Sequence, residues 1–386
     1  ITGIETPDDS TVVIQVKRPY ASLLVNLAQG WMAIYDKEWI EAKGNNIPEK
    51  EVIGTGPFLV KKYTRGTEVT REKNPNYWNK GLPYLDGIKH LIVPDQNTRL
   101  AAFRTGQVHI FAPKDSDFKK LQQELGDKVN FERGGAGLSP GTLYPNSTRK
   151  PFDNPKVREA IYLTANRWDA IQVLDQGDGF VGGYMRPGGS WSLSEEEILK
   201  FPGYGKDKTK DIERAKQLLA EAGFPSGFDA VVKTRQSQGY IDGSVFAIDQ
   251  LKKIGINATM KPYETAQAYD AANNADYDLL YWGHGFALDD PDAVYNEFYL
   301  CNAPRNWSRL CSPQVDELFL KQSQEMDPAK RKEMMLQLER LAVPLASKIV
   351  FKWAGKRSAH WSFVKGYTAH TSSYNNIRFD SVWLDK

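Results

Sequence analysis

The sequence predicts an α/β fold. Three observations carry that expectation. Strand-like and helix-like stretches alternate from Phe228 to Trp282, the pattern of a mostly parallel sheet. A strand–helix–strand set recurs over Ile88 to Phe111. Several helix starts pair a capping residue with a following proline, as at Asn154-Pro155, Ser312-Pro313 and Asp327-Pro328.

The composition fits that class. The chain has 386 residues, enough for two or more domains. Hydrophobic residues make up 41% and charged residues 25%, as in soluble globular proteins. Lys+Arg number 50 against 48 Asp+Glu, which argues against a nucleic-acid or membrane-surface role driven by charge. Aromatics reach 12%, a surplus that suits pockets wrapping organic ligands and also large cores. No apolar run is long enough to span a bilayer; the first residue is Ile1, not Met, and no signal peptide is visible within the sequence. The two cysteines, Cys301 and Cys311, can form one small disulfide loop or remain free thiols.

Taken in order, the chain opens with a β-branched strand signal from Ser10 to Lys17, whose partner must come later or be missing. A short helix is expected near 21–28. Phe58 to Tyr63 and Glu68 to Glu72 flank Arg65-Gly66 and read as a hairpin. The Gly54-Thr-Gly56 triplet lacks the Lys-Ser/Thr and helix of a phosphate loop, so it is a turn. Ile88 to Val93, Asp95 to Gly106 and Val108 to Phe111 form the first strand–helix–strand set. After Gly141 a helix capped by Asn154 points Val157, Ala160, Ile161 and Thr164 inward. Residues 177–189 form a glycine-rich loop. Asp211 to Ala222 is an amphipathic helix stopped by Gly223, with Ile212, Ala215, Leu218 and Leu219 inward. Then come strand 228–233, helix 244–254, strand 256–261, helix 264–273 and strand 277–282. Two proline-started helices and a strand at 349–353 follow, and the tail carries no long element.

The stretch after Trp282 is the expected binding loop. Gly283 and Gly285, around His284, let backbone approach a bound molecule closely. Trp282 offers an aromatic face or fills a core. Phe286 and Asp289 continue the loop, and Asp290-Pro291-Asp292 reads as a turn and helix cap. Adjacent carboxylates on one turn cannot flank a sugar bond as a glycosidase pair must. Arg235, just past a strand end, can grip a carboxylate or lie solvated. The five histidines show no paired zinc spacing, and no nucleophile elbow is present, so neither metal, cofactor nor catalytic residue is expected.

With these residues placed, the chain resembles the family 5 extracytoplasmic solute-binding proteins of ABC importers, the dipeptide, oligopeptide and nickel type. Ile53-Gly-Thr-Gly-Pro-Phe58, Glu72-Lys-Asn-Pro-Asn-Tyr-Trp78 and Arg104-Thr-Gly-Gln-Val-His-Ile110 carry the likeness early. Pro151 to Ala160, Ala215 to Gly223, Tyr277 to Asp292, Asn306-Trp-Ser-Arg309 and Phe379 to Leu384 carry it later. The resemblance implies a two-lobed periplasmic-binding-protein-like fold with a hinge and an extra inserted domain. Residues 1–50 would be a remnant of that domain, 51–142 lobe I, 143–355 lobe II, and 356–386 a return to lobe I. It also implies that an N-terminal part is missing. Function would be capture of a small solute, a short peptide first, between the lobes, and delivery to a membrane permease. An oligosaccharide or opine-like solute is the alternative, and an α/β hydrolase the rival class. Arg235 matches the family's carboxylate-binding arginine. The family's amine-binding acid falls at Ala287, with Asp289 nearby as its substitute. Cys301 and Cys311 resemble a family disulfide, and the location would be periplasmic or extracytoplasmic, with a membrane tether through the missing part left open. A monomer without nucleic-acid partners is expected.

Overall fold

The computed structural model describes residues 1–386 except 45, 47–50, 114, 284, 371–377 and 386. The chain divides into two compact units. One comprises Ile1–Ala28 with Gly135–Gly355, the other Gln29–Gly134 with Lys356–Lys386.

The first strands, β1 (Gly3–Asp8) and β2 (Thr11–Gln15), form an antiparallel hairpin. The strand expected to need a distant partner therefore pairs with the residues just before it. The Asp8 carboxylate closes the turn, accepting from Ser10 N at 2.9 Å and Ser10 Oγ at 3.0 Å. Strands β3 (Phe58–Thr64) and β4 (Glu68–Lys73) make the predicted hairpin, with Gly66 at φ +73° in its turn. Strand β5 (Gly87–Leu91) adds antiparallel to β4. The helix Gln96–Arg104 starts where Asp95 accepts from Thr98 N, and leads to β6 (Ile110–Phe111). Here the strand–helix–strand reading needs correction. β5 closes a three-stranded antiparallel sheet, while β6 pairs antiparallel with residues 359–360, so the two strands never share a parallel unit.

Strand β7 (Val129–Pro145) is 17 residues long and was not expected. Gly134, Gly135, Gly137, Pro140 and Gly141 make it look like loop, because glycine and proline are poor strand residues. Pairing with its neighbours overrides that local preference. The later strands are β8 (Gly179–Phe180), β9 (Phe228–Arg235), β10 (Ile256–Tyr263), β11 (Leu279–Gly283), β12 (Ile349–Trp361), β13 (Val364–Lys365) and β14 (Trp383–Leu384). In the first unit the sheet runs β10-β9-β11-β7-β12, with β8 on β12. β10, β9 and β11 are parallel, as predicted, and β7 joins β11 antiparallel, which makes the sheet mixed.

Helix caps hold as read. Asn154, Ser312 and Asp327 each accept from a first-turn amide ahead of a proline. Val157, Ala160, Ile161, Thr164, Ala215, Leu218 and Leu219 are buried, and Ile212 packs at the core's edge. The helix Gln238–Lys252 begins six residues before the expected start at Ser244. Its Gly243 sits against β11: a Cβ there would stand 2.2 Å from the Tyr281 ring, so only glycine lets the helix close on the sheet. In the second unit Leu100, Phe103, Phe111, Leu121, Val129 and Ala359 form a separate core.

Candidate functional site

Parallel pairing puts the C-terminal ends of β9, β10 and β11 on one edge of the first unit. Arg235 ends β9 in register with Tyr263 of β10, and Gly283 ends β11. Loops leaving that edge of parallel strands form the usual ligand crevice. Arg235 is half-buried there among aromatic rings. Its guanidinium carbon lies 5.1 Å from the Tyr240 ring centre, 5.4 Å from Trp282 and 6.0 Å from Tyr269. Each such contact contributes about 0.5–2 kcal/mol, depending on desolvation. One nitrogen donates to Thr265 Oγ1 at 3.2 Å, and the buried Nε has no hydrogen-bond partner among the described residues. No carboxylate of the described residues pairs with this guanidinium. It is positioned by rings rather than neutralised.

The rings are themselves braced. Trp282 is 1% exposed and packs against Tyr240, Tyr269 and Trp307 with centroids 5.0–5.8 Å apart. Trp307 Nε1 donates to Asn273 Oδ1 at 3.0 Å, and Tyr240 Oη donates to Gly283 O at 3.1 Å. A Cβ on Gly283 would meet Pro140 O at 3.1 Å and Ser139 Oγ at 3.2 Å. Trp307 lies in the loop closed by the Cys301–Cys311 disulfide, so the two cysteines are paired. The expectation that Trp282 stacks on a solute is altered: its faces are covered by protein, and its polar neighbour is Arg235.

The acidic turn divides into two. Asp290 caps the helix Pro291–Phe298 and accepts from both terminal nitrogens of Arg331, at 3.0 and 3.1 Å. Ser22 Oγ donates to Asp290 at 2.8 Å and Gln322 Nε2 to Asp292 at 2.8 Å, while Arg331 Nε donates to Gln322. The Arg331 guanidinium also lies 4.5 Å from the Trp191 ring centre. These groups are buried, and burial raises the Asp292 carboxyl above its ordinary range. Asp289 instead accepts from Arg186 Nε at 2.9 Å and from its terminal nitrogen at 2.7 Å, both on Oδ2. Burial raises the Asp289 carboxyl and Arg186 opposes the rise. The loop that presents Arg186 is pinned by Glu339, which is fully buried and accepts from the amides of Tyr184, Met185 and Leu193 at 2.6, 2.7 and 3.3 Å. Burial pushes the Glu339 carboxyl up to about 7, against the pull of those amides.

The structure therefore brings together Arg235, Trp282 and Gly283. It sends Phe286 into the core against Phe298 and Trp353, and Asp289 to Arg186. Gly285 is half-buried, and His284 lies outside the described residues. Tyr240, Tyr269, Thr265 and Arg186 escaped the sequence reading. The first three follow a strand end within a few residues, and that position was the available signal. Arg186 gave none, because it lies 103 residues before its partner.

Comparison with known proteins follows this geometry. Residues 1–306 match the family described as bacterial extracellular solute-binding proteins, family 5. A probable di/tripeptide-binding protein of Pseudomonas aeruginosa is 29% identical over 332 residues, 83% of this chain and 60% of the relative. The periplasmic binding protein DppA of Helicobacter pylori, solved with the peptide STSA, superposes with TM-score 0.86 at 27% identity, covering 100% of this chain and 74% of the other. The binding protein AgaA of A. tumefacien R10, solved with agropinic acid, gives TM-score 0.83 at 26% identity, covering 100% and 78%. The chain spans 60–64% of the length of the first curated relatives it matches. The two-lobed periplasmic-binding-protein fold is thereby the fold of this chain.

Proposed function

We propose a function from one premise: the chain belongs to the bacterial extracellular solute-binding proteins of family 5. It captures a short peptide outside the cytoplasm and hands it, unaltered, to the membrane permease of an ABC importer. The observation that carries this reading is Arg235. A guanidinium fixed by three rings, with no carboxylate partner among the described residues, is a receptor for a solute carboxylate. Its place at the C-terminal edge of three parallel strands supports the assignment. The relatives that bind dipeptides or peptides, by their names, support peptide as the solute. Backbone at Gly283 and Gly285 supplies hydrogen bonds, and Trp282 acts by holding Arg235. The protein works as a monomer.

The Cys301–Cys311 disulfide supports an oxidising, extracytoplasmic location. No helix among the described residues is long and apolar enough to cross a membrane. An opine-like solute is the second reading, favoured by the likeness to the agropinic acid complex. No observation favours oligosaccharide or the hydrolase reading. Calorimetric titration with a library of di- and tripeptides tests the proposal. Saturable 1:1 binding with the peptide recovered intact is expected. Cleavage of the peptide, or no binding across the library, overturns it.

A further inference from the structure

We infer that disulfide closure completes the Arg235 site. The loop from Cys301 to Cys311 holds the helix that makes two of the contacts to Arg235, and Trp307 in that loop is a positioning residue for the guanidinium. The inference rests on the solute-binding reading above and adds a condition to it: the oxidised chain captures an anionic solute better than the reduced one. All the residues involved lie in one unit. The helix Thr265–Asn273 presents Thr265 to Arg235 at its start and the Tyr269 ring one turn later. It is nine residues long, and its buried residues are Ala268, Ala271 and Ala272. Three alanine methyls bury little apolar area, so these side chains hold the helix weakly.

The disulfide loop supplies the rest of the grip. Trp307 packs edge-on against Tyr269 at 6.2 Å and Trp282 at 5.2 Å, two of the three rings around Arg235. Its Nε1 donates to Asn273 Oδ1 at 3.0 Å, at the far end of the same helix. Arg309 donates to the carbonyls of Ala272 and Asn273, which satisfies the C-terminal end of that helix. The Arg305 guanidinium lies 6.0 Å from the Tyr269 ring centre. Residues 305, 307 and 309 thus all reach the helix, and the cysteines, ten residues apart, close the loop that carries them. Trp307 is buried while Cys311 is exposed, so a thiol in solution can attack the bond without entering the aromatic cluster. Closure passes two electrons and two protons from the thiols to a disulfide donor, which leaves as two thiols. With the bond open, Asn306 still links the loop's ends, donating to the carbonyls of Leu300 and Leu310. Hydrogen bonds exchange with water where a covalent bond does not, so the opened loop regains freedom and holds Trp307 less firmly.

Calorimetry tests this with the di- or tripeptide that binds the native chain tightest, titrated as the free acid and as its C-terminal amide. The native, oxidised chain should favour the acid by about tenfold to a hundredfold, the worth of a charged hydrogen bond. In the double variant Cys301→Ser, Cys311→Ser that preference should fall by at least about threefold, the low end of one cation–π contact. Trp307→Phe keeps the disulfide and a ring but loses the bond to Asn273, and should shift the preference the same way. Val157→Ala opens a small cavity in the main core, away from the cage, and should keep the native preference, which separates positioning from loss of stability. A preference within about twofold of native in the cysteine variant overturns the inference and leaves peptide capture standing. Where urea unfolding shows that the cysteine variant does not fold, Trp307→Phe decides by the same measure. An equal fall in Val157→Ala also overturns it. Failure of the whole library to bind the native chain overturns the solute-binding reading itself.

Discussion

Arg331 and Arg235 belong to the same unit, and each guanidinium lies over aromatic carbon, yet their surroundings differ. Arg331 is buried, receives both oxygens of Asp290, and bonds Ser22 and Gln322 as well. Arg235 is half-buried, with one hydroxyl, three rings and a buried Nε that meets no acceptor among the described residues. A guanidinium with its counter-charge in place joins distant parts of the chain: here it ties Ser22 to the turn at Asp290. A guanidinium held by rings keeps its charge for something not yet bound. The first is architecture, and on the proposed function the second is a receptor.

The largest effect should come from breaking the satisfied site. Arg331→Met leaves Asp290 buried without its partner, and unfolding free energy in urea should fall by about 3–5 kcal/mol. A loss below about 1 kcal/mol, the range of surface pairs, would erase the contrast. Next comes the pH dependence set by Glu339. Burial raises its folded carboxyl from 4.5 to about 7, so the folded state keeps a proton that the unfolded chain has released. The stability from this group is full below the unfolded value and lost as pH rises through the folded one. Relative to Glu339→Gln, the native chain should lose up to about 3 kcal/mol across that window. Parallel pH profiles for the two proteins would show that the three amides keep Glu339 ionised. Arg235→Ala should act the other way from Arg331→Met, weakening solute binding by about 1–3 kcal/mol. Any loss of stability should come from its ring contacts alone, because no counter-charge is stranded. Smallest is Tyr240→Phe, which keeps the ring but removes the bond to Gly283 O. It should lower stability by about 0.5–1.5 kcal/mol, read in urea.

The sequence disclosed what is local. Asn154, Asp290, Ser312 and Asp327 were legible as caps because a cap and its proline are neighbours in the chain. Arg235 was legible by position, one residue group past a strand of clear pattern. The length of β7 was not, because its glycines and prolines argue for loop until flanking strands pair with it. The sheet's change of direction at β7 was hidden for the same reason. The aromatic cage was partly hidden: Trp282 stood out, while Tyr240 and Tyr269 sit on separate helices that folding brings to it. The fate of Asp289 was illegible. Its meaning depends on Arg186, on a loop fixed by Glu339 from near the far end of the chain.

The role of Arg235 is tested most directly by titrating a bound di- or tripeptide against the native chain and Arg235→Ala, each with the free acid and its C-terminal amide. The account predicts that amidation weakens binding to the native chain and makes no further difference once Arg235 is gone. Equal affinity of the native chain for acid and amide, or an undiminished preference for the acid in Arg235→Ala, would contradict it.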